Sequence, residues 1–353
     1  MGNNLKILFS GVIEKPWQSG VQRLTALEQL GHQIIRVSST VAQSESRYLA
    51  YTRRFMPAAI YERLLASHEA QMHQLLTDAA EAGKPDVIWL EWPRMVGKRT
   101  LVALKKKLPG VPIISYQDDN PFGPRRFADY GWRRFFDAMP AYDAHLVKRE
   151  SDVKEYSKRG AKNVQVFLTG YPEDLFYPET NGDPSMTHDV MFVGTALDQR
   201  VSVLDELTGK LGVPVDIYGA RWDRTPLFAD RKHLLHGSLS DDGYRQTVSN
   251  SKISLGFVSH SNLDRYTARL FEVPACGTLF LGEATEKQMS LFEPDKEAAF
   301  FASTEECRDK IKYYLAHDDE RNRIAEAGRV RATENFGFRK RMAEAVEFME
   351  KLR

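Results

Sequence analysis

Cysteine is almost absent from this 353-residue chain, with Cys276 and Cys307 the only two. Two thiols cannot make a disulfide framework or a zinc cluster, and such scarcity points to a reducing, cytoplasmic setting. No run of about 18 apolar residues occurs, so no segment reads as a membrane-spanning helix. The opening MGNNLKILFSG holds a short apolar stretch that closes on Gly11 without a cleavage pattern, which argues against a secretory signal. Several motifs are also missing. The loop after the first apolar run, SGVIEKPWQSG, is too long and too poor in glycine for a G-x-G-x-x-G dinucleotide fingerprint. No G-x-x-x-x-G-K-S/T excludes a P-loop ATPase, and no G-x-S-x-G excludes the hydrolase elbow. The nine histidines form no H-E-x-x-H spacing, which argues against a zinc site.

Net charge is nearly lacking as well, since 49 Lys and Arg stand against 48 Asp and Glu. That balance hides a split. Residues 1–170 hold 25 basic and 17 acidic side chains, a net of +8, and residues 171–353 hold 24 and 31, a net of −7. A basic half joined to an acidic half suggests a different partner for each, with drift in surface charge as the plainer alternative. The composition, 42% hydrophobic and 27% charged, is that of a folded globular protein. The length exceeds what one core usually supports, so two domains are expected.

Both halves alternate strand and helix signals. Residues 5–10, 33–37, 86–92, 112–116, 144–147 and 164–167 read as strands, and residues 21–30, 58–82, 101–107 and 152–159 as helices between them. The segment 171–188, YPEDLFYPETNGDPSMTH, is polar with three prolines and reads as a linker. The pattern restarts with strands at 189–193, 215–218, 234–236, 253–257, 278–281 and 299–301. Helices are expected at 200–211, 241–250, 267–275, 305–316, 319–335 and 338–352. Strands that are nearly all apolar and separated by helices argue for parallel sheets covered on both faces.

Open parallel sheets bind ligands beyond the carboxyl ends of their strands, so the residues just after each strand are the candidates. The richest segment is NLDRYTARLFEVPACGTLFLGE, residues 262–283. Backbone N–H groups at a helix start near Thr267 make an anion site, and Arg265 and Arg269 flank it. Asp264 and Glu272 are carboxylates for sugar or ribose hydroxyls. The alternative is an ordinary helix with a capping acid, a surface arginine and a core Phe271.

The stretch TARLFEVPACGTLFL, residues 267–281, resembles the group-1 glycosyltransferases of GT-B fold, closest to the spore-maturation-protein-like branch with its R-x-F-E and A-C-G pattern. DVMFVG, VDIYG, HGSLS with Tyr244, and SKISLGF follow in that family's order. The strand–Gly20–helix–LGH opening looks like a GT-B acceptor domain. The resemblance implies two Rossmann-like, doubly wound parallel-sheet domains facing a cleft. Residues 1–170 would bind the acceptor and 189–337 a nucleotide-diphosphate sugar, with 171–188 as linker and 338–353 packing back on the first domain. It implies transfer of a glycosyl group to a hydroxyl on a glycan, glycolipid or protein. No cofactor or essential metal is implied, the nucleotide sugar being a co-substrate, and the absence of a D-x-D motif agrees.

Carried over by position, Glu272 stands where the second Glu of an E-x7-E motif binds ribose, while Asp264 replaces the first, leaving the retaining outcome open. Gly194 matches a diphosphate-site glycine, Thr195 replaces its arginine, and Arg200 stands near a clamping lysine. Gly219 follows a strand of the donor domain. The turn from Gly237 to Leu239 resembles the one whose backbone reads the base, with Trp222 or Tyr218 as stacking candidates. On the acceptor side, Asp118 or Asp119 is a base or hydroxyl ligand, or else an Asx turn before Pro121. Glu91 is a second candidate and Gly20 a loop glycine. The stretch 125–136, RRFADYGWRRFF, offers a phosphate, lipid or peripheral membrane contact, or a solvated helix with a core-facing aromatic side. No nucleic-acid module is present, and the expected location is the cytoplasm or the inner face of a membrane. A GT-B epimerase or hydrolase, and a non-catalytic sugar-nucleotide-binding protein, are the other classes the chain allows.

Overall fold

The computed structural model describes residues 4–16, 18–39, 57–122, 131–179, 186–225 and 229–353. It divides into two units, one of Met1–Thr169 with Phe338–Arg353 and one of Gly170–Gly337. Unit 1 holds strands β1 (Lys6–Gly11), β2 (Gln33–Ser38), β3 (Val87–Glu91), β4 (Ile113–Gln117), β5 (Ala144–Val147) and β6 (Val164–Val166). They pair in the order β2-β1-β3-β4-β5-β6 with parallel register throughout, for example Ile7 opposite Val87 and Ile88 opposite Ile113. The chain runs outward from β1 in both directions, so the switch point lies between β1 and β3.

Every residue of β3 and β4 is buried, which is why these runs read as mostly apolar, with Glu91, Ser115 and Gln117 the exceptions. Alternate residues supply opposite faces. Leu8, Ile88, Leu90 and Ile113 join one cluster with Leu65, Met72 and Leu76 of α2 (Ala58–Gly83) and with Leu101 and Leu104 of α3 (Lys98–Lys107). Ile7, Phe9, Trp89, Ile114 and Tyr116 face the other way, against Leu24 and Leu27 of α1 (Ser19–Gln29). On that face the rings of Phe9, Trp89 and Tyr116 stack strand to strand at 6.1 and 5.7 Å. The same layer takes Phe338, Met342, Ala345, Val346 and Met349 from the last helix (Phe338–Glu350). Each of the larger side chains contributes about 1.5–3 kcal/mol by burial. Among the described residues, the unit's remaining α-helices are α4 (Gly131–Ala138) and α5 (Glu150–Ser157).

Unit 2 repeats the plan with five parallel strands, β7 (His188–Val193), β8 (Asp216–Tyr218), β9 (Ser251–Gly256), β10 (Leu279–Glu283) and β11 (Ala299–Phe301), ordered β11-β10-β9-β7-β8. Its switch point lies between β7 and β9. Helices α6 (Arg200–Asp205), α7 (Asp241–Ser249), α8 (Arg269–Ala275), α9 (Glu286–Leu291), α10 (Thr304–Ala316) and α11 (Asp318–Asn335) complete it, and the last helix of the chain is therefore α12. Among the described residues no helix is long and apolar enough to cross a membrane.

Three local expectations are changed. The helix read at 200–211 stops at Asp205 and widens into a π-turn over Glu206–Lys210. Arg231 donates to the Asp205 carbonyl, a competitor to the regular ladder at this turn, and to Thr208 Oγ1. The strand read at 234–236 is a 3₁₀ turn, Lys232–Leu234, followed by a single bridge from Leu235 to Ile217. Residues 171–179 pack as part of unit 2. Tyr171 donates its N–H to the Phe336 carbonyl, Phe176 lies edge-on to Tyr244, and Arg245 pairs with Glu179 at 2.6 Å. Residues 180–185 of the expected linker lie outside the described residues, and its last residue, His188, already belongs to β7.

Candidate functional site

At the carboxyl edge of the unit 2 sheet, three of the sequence candidates form one backbone seam. Gly194 follows β7 and donates its N–H to the Tyr218 carbonyl at 2.9 Å, and Gly219 follows β8 and donates to the Gly237 carbonyl at 2.6 Å. Gly219 has φ +132°, and a Cβ there would run into the carbonyl oxygen of Gly194. Only glycine meets both requirements. Arg200, the first residue of α6, stands over this seam, its Nη1 3.3 Å from where a Gly194 Cβ would be. Leu239 lies in the turn before Ser240, whose hydroxyl caps α7 by accepting from Gly243 N–H. Neither stacking candidate offers an open ring. Trp222 is buried with its indole N–H on the Gly194 carbonyl at 2.8 Å, and Tyr218 stacks on His236 at 4.7 Å.

The second group centres on α8. Glu272 accepts a hydrogen bond from Tyr244 Oη at 2.7 Å on one carboxylate oxygen, and Arg269 Nε lies 4.0 Å from the same oxygen. The Arg269 guanidinium also stands 5.8 Å from the centre of the Tyr244 ring. Burial, with the Glu272 charge adding to it, pushes the Tyr244 hydroxyl well above its ordinary range, so it remains a donor. Burial works against the Arg269 charge, and the Glu272 carboxylate beside it works in its favour. Tyr244 was legible only as a member of the HGSLS segment, and its role as the partner of Glu272 was not.

The expected helix start at Thr267 is displaced to Arg269, and the Thr267 N–H is not open, since Gln288 Oε1 accepts it at 3.2 Å. Gln288 was missed because it is a buried glutamine on the next helix, holding the Glu283 carbonyl with its other end at 2.6 Å. Arg265 is mostly exposed, with Glu286 at 4.0 Å and its own carbonyl accepting from Thr285 Oγ1. Asp264 follows Leu263, a left-handed residue at φ +54°, and its Oδ1 accepts from Asn262.

At the switch point itself, Glu283 accepts from Gln199 Nε2 at 3.2 Å and from the Val258 N–H at 3.3 Å, while its other oxygen lies 2.6 Å from His260 Nε2. Ser259 Oγ reaches Asp198 at 2.9 Å. These contacts tie the loop after β7 to the loop after β9. A pocket lined by Trp222, Asp223, Arg224, Thr225, Lys232 and Leu235 opens beyond β8. Among the described residues, no group of three or more His, Cys, Asp and Glu is placed to hold a metal ion.

In unit 1 the candidates separate. Glu91 is buried with both oxygens on Arg23, at 2.5 Å from Nε and 2.8 Å from Nη2. It is thus the counter-ion of a buried guanidinium, and the geometry does not leave it as an acceptor-side acid. Gly20 packs on this pair, since a Cβ there would lie 2.7 Å from the Val12 carbonyl and 3.2 Å from Glu91. Asp118 is different. Its Oδ1 accepts from the Trp92 indole N–H at 2.9 Å, and its carbonyl accepts from Arg149 at 2.7 Å. Asp119 follows with its carbonyl on Gln117 Nε2 at 3.2 Å. The Asx turn before Pro121 belongs to Asn120, whose side chain accepts from the Phe122 N–H at 2.8 Å.

Of the stretch 125–136, residues 125–130 lie outside the described residues. In the remainder Trp132 and Phe135 are core, and Arg134 pairs with Glu69 at 2.7 Å and Glu62 at 3.4 Å. That is the helix with a core-facing aromatic side.

Residues 200–347, less than half of the chain, match the model of a family described as glycosyl transferase-like. No curated protein matches the chain in sequence. Among solved structures, HepE of Anabaena in complex with UDP and glucose aligns over 99% of this chain and 100% of its own at 12% identity and a TM-score of 0.64. Sucrose-phosphate synthase from Thermosynechococcus elongatus aligns over 99% of both chains at 10% identity and a TM-score of 0.68. A putative UDP-N-acetylglucosamine 2-epimerase from Listeria monocytogenes covers 98% of this chain and 95% of its own at 10% identity and a TM-score of 0.57. The shared architecture is the GT-B fold, two parallel-sheet α/β units of six and five strands here.

Proposed function

We propose that this protein transfers a glycosyl group from a nucleotide-diphosphate sugar to a hydroxyl acceptor. The observation that carries the reading is the carboxyl edge of the unit 2 sheet, where the Gly194–Gly219–Gly237 seam with Arg200 lies on the same edge as the Tyr244–Glu272–Arg269 group. The family match spans Arg200, Tyr244, Arg269 and Glu272, and HepE, with the same fold, was solved with UDP and glucose. In this reading Glu272 takes the ribose hydroxyls, Gly237 and Leu239 face the base, and Asp264 contacts the donor sugar. The diphosphate takes backbone N–H groups near Gly194 with Arg200, Arg265 and Arg269.

The reaction needs charge stabilisation on the leaving diphosphate, which fixed cations supply without reorganising at the moment of bond cleavage. Arginines in that role make an added metal dispensable. Asp118, with Asp119 beside it, binds or deprotonates the acceptor hydroxyl from unit 1. Retention of configuration, the spore-maturation-protein-like branch, and work at the cytoplasmic face of a membrane complete the reading.

A thermal-shift panel of nucleoside diphosphates and their sugars tests the donor site, because a ligand that binds only the folded state raises its stability. A shift with UDP or UDP-glucose, then release of UDP that depends on an added acceptor, is the expected result. No response to any nucleotide overturns the reading. The likeness to the putative epimerase keeps one rival in view. Turnover of a nucleotide sugar that needs no acceptor would favour it.

A further inference from the structure

Trp92 is out of place for a structural residue. It follows β3 directly, precedes Pro93, and has φ +50°, a left-handed backbone that a bulky side chain rarely adopts. The conformation is locked. The Trp92 N–H donates to the Tyr116 carbonyl at 3.1 Å and its carbonyl accepts from Arg94 N–H at 2.7 Å. Its ring lies edge-on to Trp132 at 6.0 Å, and the Arg94 guanidinium stands 5.6 Å from the Trp92 ring and 5.3 Å from that of Trp132.

What the strain secures is the position of the indole. Its N–H is fixed on Asp118 Oδ1, while Trp92 as a residue remains partly exposed. No protein hydrogen bond falls on Asp118 Oδ2 among the described residues, and the Asp118 backbone is anchored by Arg149. A partly exposed tryptophan thus stands beside a carboxylate with one oxygen free of protein hydrogen bonds, at the carboxyl ends of β3 and β4.

We propose that Trp92 and Asp118 form a subsite for a sugar ring, so that the acceptor is itself a glycoside. This rests on the glycosyl-transfer reading above and names its acceptor class. A pyranose presents an apolar C–H face and a rim of hydroxyl donors, and this pair offers an aromatic surface for the one and a carboxylate for the other. A phosphate group would meet the Asp118 charge with repulsion, and a lipid chain would leave that carboxylate without a donor. Among the described residues, the arginines around the pair are already engaged. Arg94 stacks on the two indoles, Arg149 holds the Asp118 carbonyl, and Arg23 holds Glu91.

The experiment uses the full chain saturated with UDP and a panel of methyl glycosides and disaccharides, read by saturation-transfer NMR, with anionic phospholipid vesicles and a serine-rich peptide as comparators. At least one glycoside should show transfer concentrated on its ring C–H protons. Its apparent affinity should fall about tenfold in Trp92→Ala and in Asp118→Asn, with UDP affinity unchanged in both. Trp92→Phe keeps a ring and loses the indole donor, so it should fall between wild type and Trp92→Ala and serves where the alanine variant does not fold. Equal glycoside binding by wild type and variants, or binding of only the vesicles or the peptide, overturns the proposal while the donor reading stands. Failure of the wild type to bind any nucleoside diphosphate overturns the donor reading instead.

Discussion

Tyr244→Phe removes one oxygen atom and asks whether Glu272 is held for a ligand or only for the fold. The hydroxyl is buried and donates to Glu272 Oε2 at 2.7 Å. A hydrogen bond to a charged acceptor is worth about 1.5–3 kcal/mol. Part of this is recovered, because Glu272 keeps about 14% of its side chain exposed and Arg269 stands 4.0 Å away, ready to close on the freed oxygen. The expected loss of stability is therefore about 1–2 kcal/mol, a fall of about 2–8 °C in Tm for a unit of this size.

The binding consequence is separate. A carboxylate that turns toward Arg269 leaves its place for ribose hydroxyls and also neutralises a phosphate ligand. UDP binding by calorimetry should weaken about three- to tenfold in Tyr244→Phe and more in Glu272→Gln. The double variant should resemble Glu272→Gln alone, since the tyrosine acts through the carboxylate. Tyr244 stays protonated throughout the neutral and mildly alkaline range, so the contrast between wild type and Tyr244→Phe should not vary between about pH 6 and 9. UDP affinity within a factor of two of wild type, or losses that simply add in the double variant, would refute the reasoning.

Three further perturbations follow from the same geometry. Glu91→Gln strips the partner from buried Arg23 and should cost about 3–5 kcal/mol of stability, measured by denaturant unfolding. A variant as stable as wild type but without turnover would instead return Glu91 to the acceptor site. Gly219→Ala places a methyl group against the Gly194 carbonyl and at a disfavoured φ. It should abolish UDP binding and lower Tm, and normal binding by the variant would separate the seam from the donor site. His145 is fully buried, its Nε2–H on the Met139 carbonyl and its Nδ1 on Ser115 Oγ, and burial pushes its pKa down to about 4. The neutral ring thus contributes stability that is complete above about pH 6.5 and is lost as pH falls toward 4, on the order of 3 kcal/mol. His145→Gln should flatten that limb of the Tm–pH curve, and an unchanged limb would assign it to other groups.

The alternation of strands and helices was legible because buried parallel strands must be apolar on both faces. VIWLE and HDVMFV therefore stand out with no knowledge of their neighbours. The glycines after β7 and β8 were legible for a similar reason, since close backbone approach leaves room for no other residue. The partners of the charged residues were not. Arg23 and Glu91 are 68 residues apart, Trp92 and Asp118 are 26 apart, and Tyr244 and Glu272 are 28 apart. Nothing in the spacing of either member names the other. The helix start at Thr267 was misplaced because Gln288, from another helix, takes the N–H that would have been open.

By itself the sequence determined two α/β units, the apolar strands that build them, and the carboxylates and arginines that gather near their carboxyl ends. Local periodicity and backbone sterics act over a few residues, so they are written into the chain directly. The tertiary structure alone decided which of those carboxylates is available. Glu91, Asp118 and Glu272 carry the same kind of group after or near a strand. One is closed by a buried guanidinium, one is held by an indole with an oxygen left open, and one is poised between a tyrosine and an arginine. Burial and the nearest opposite charge fix what a carboxylate can do, and both are set by residues that only folding brings within reach.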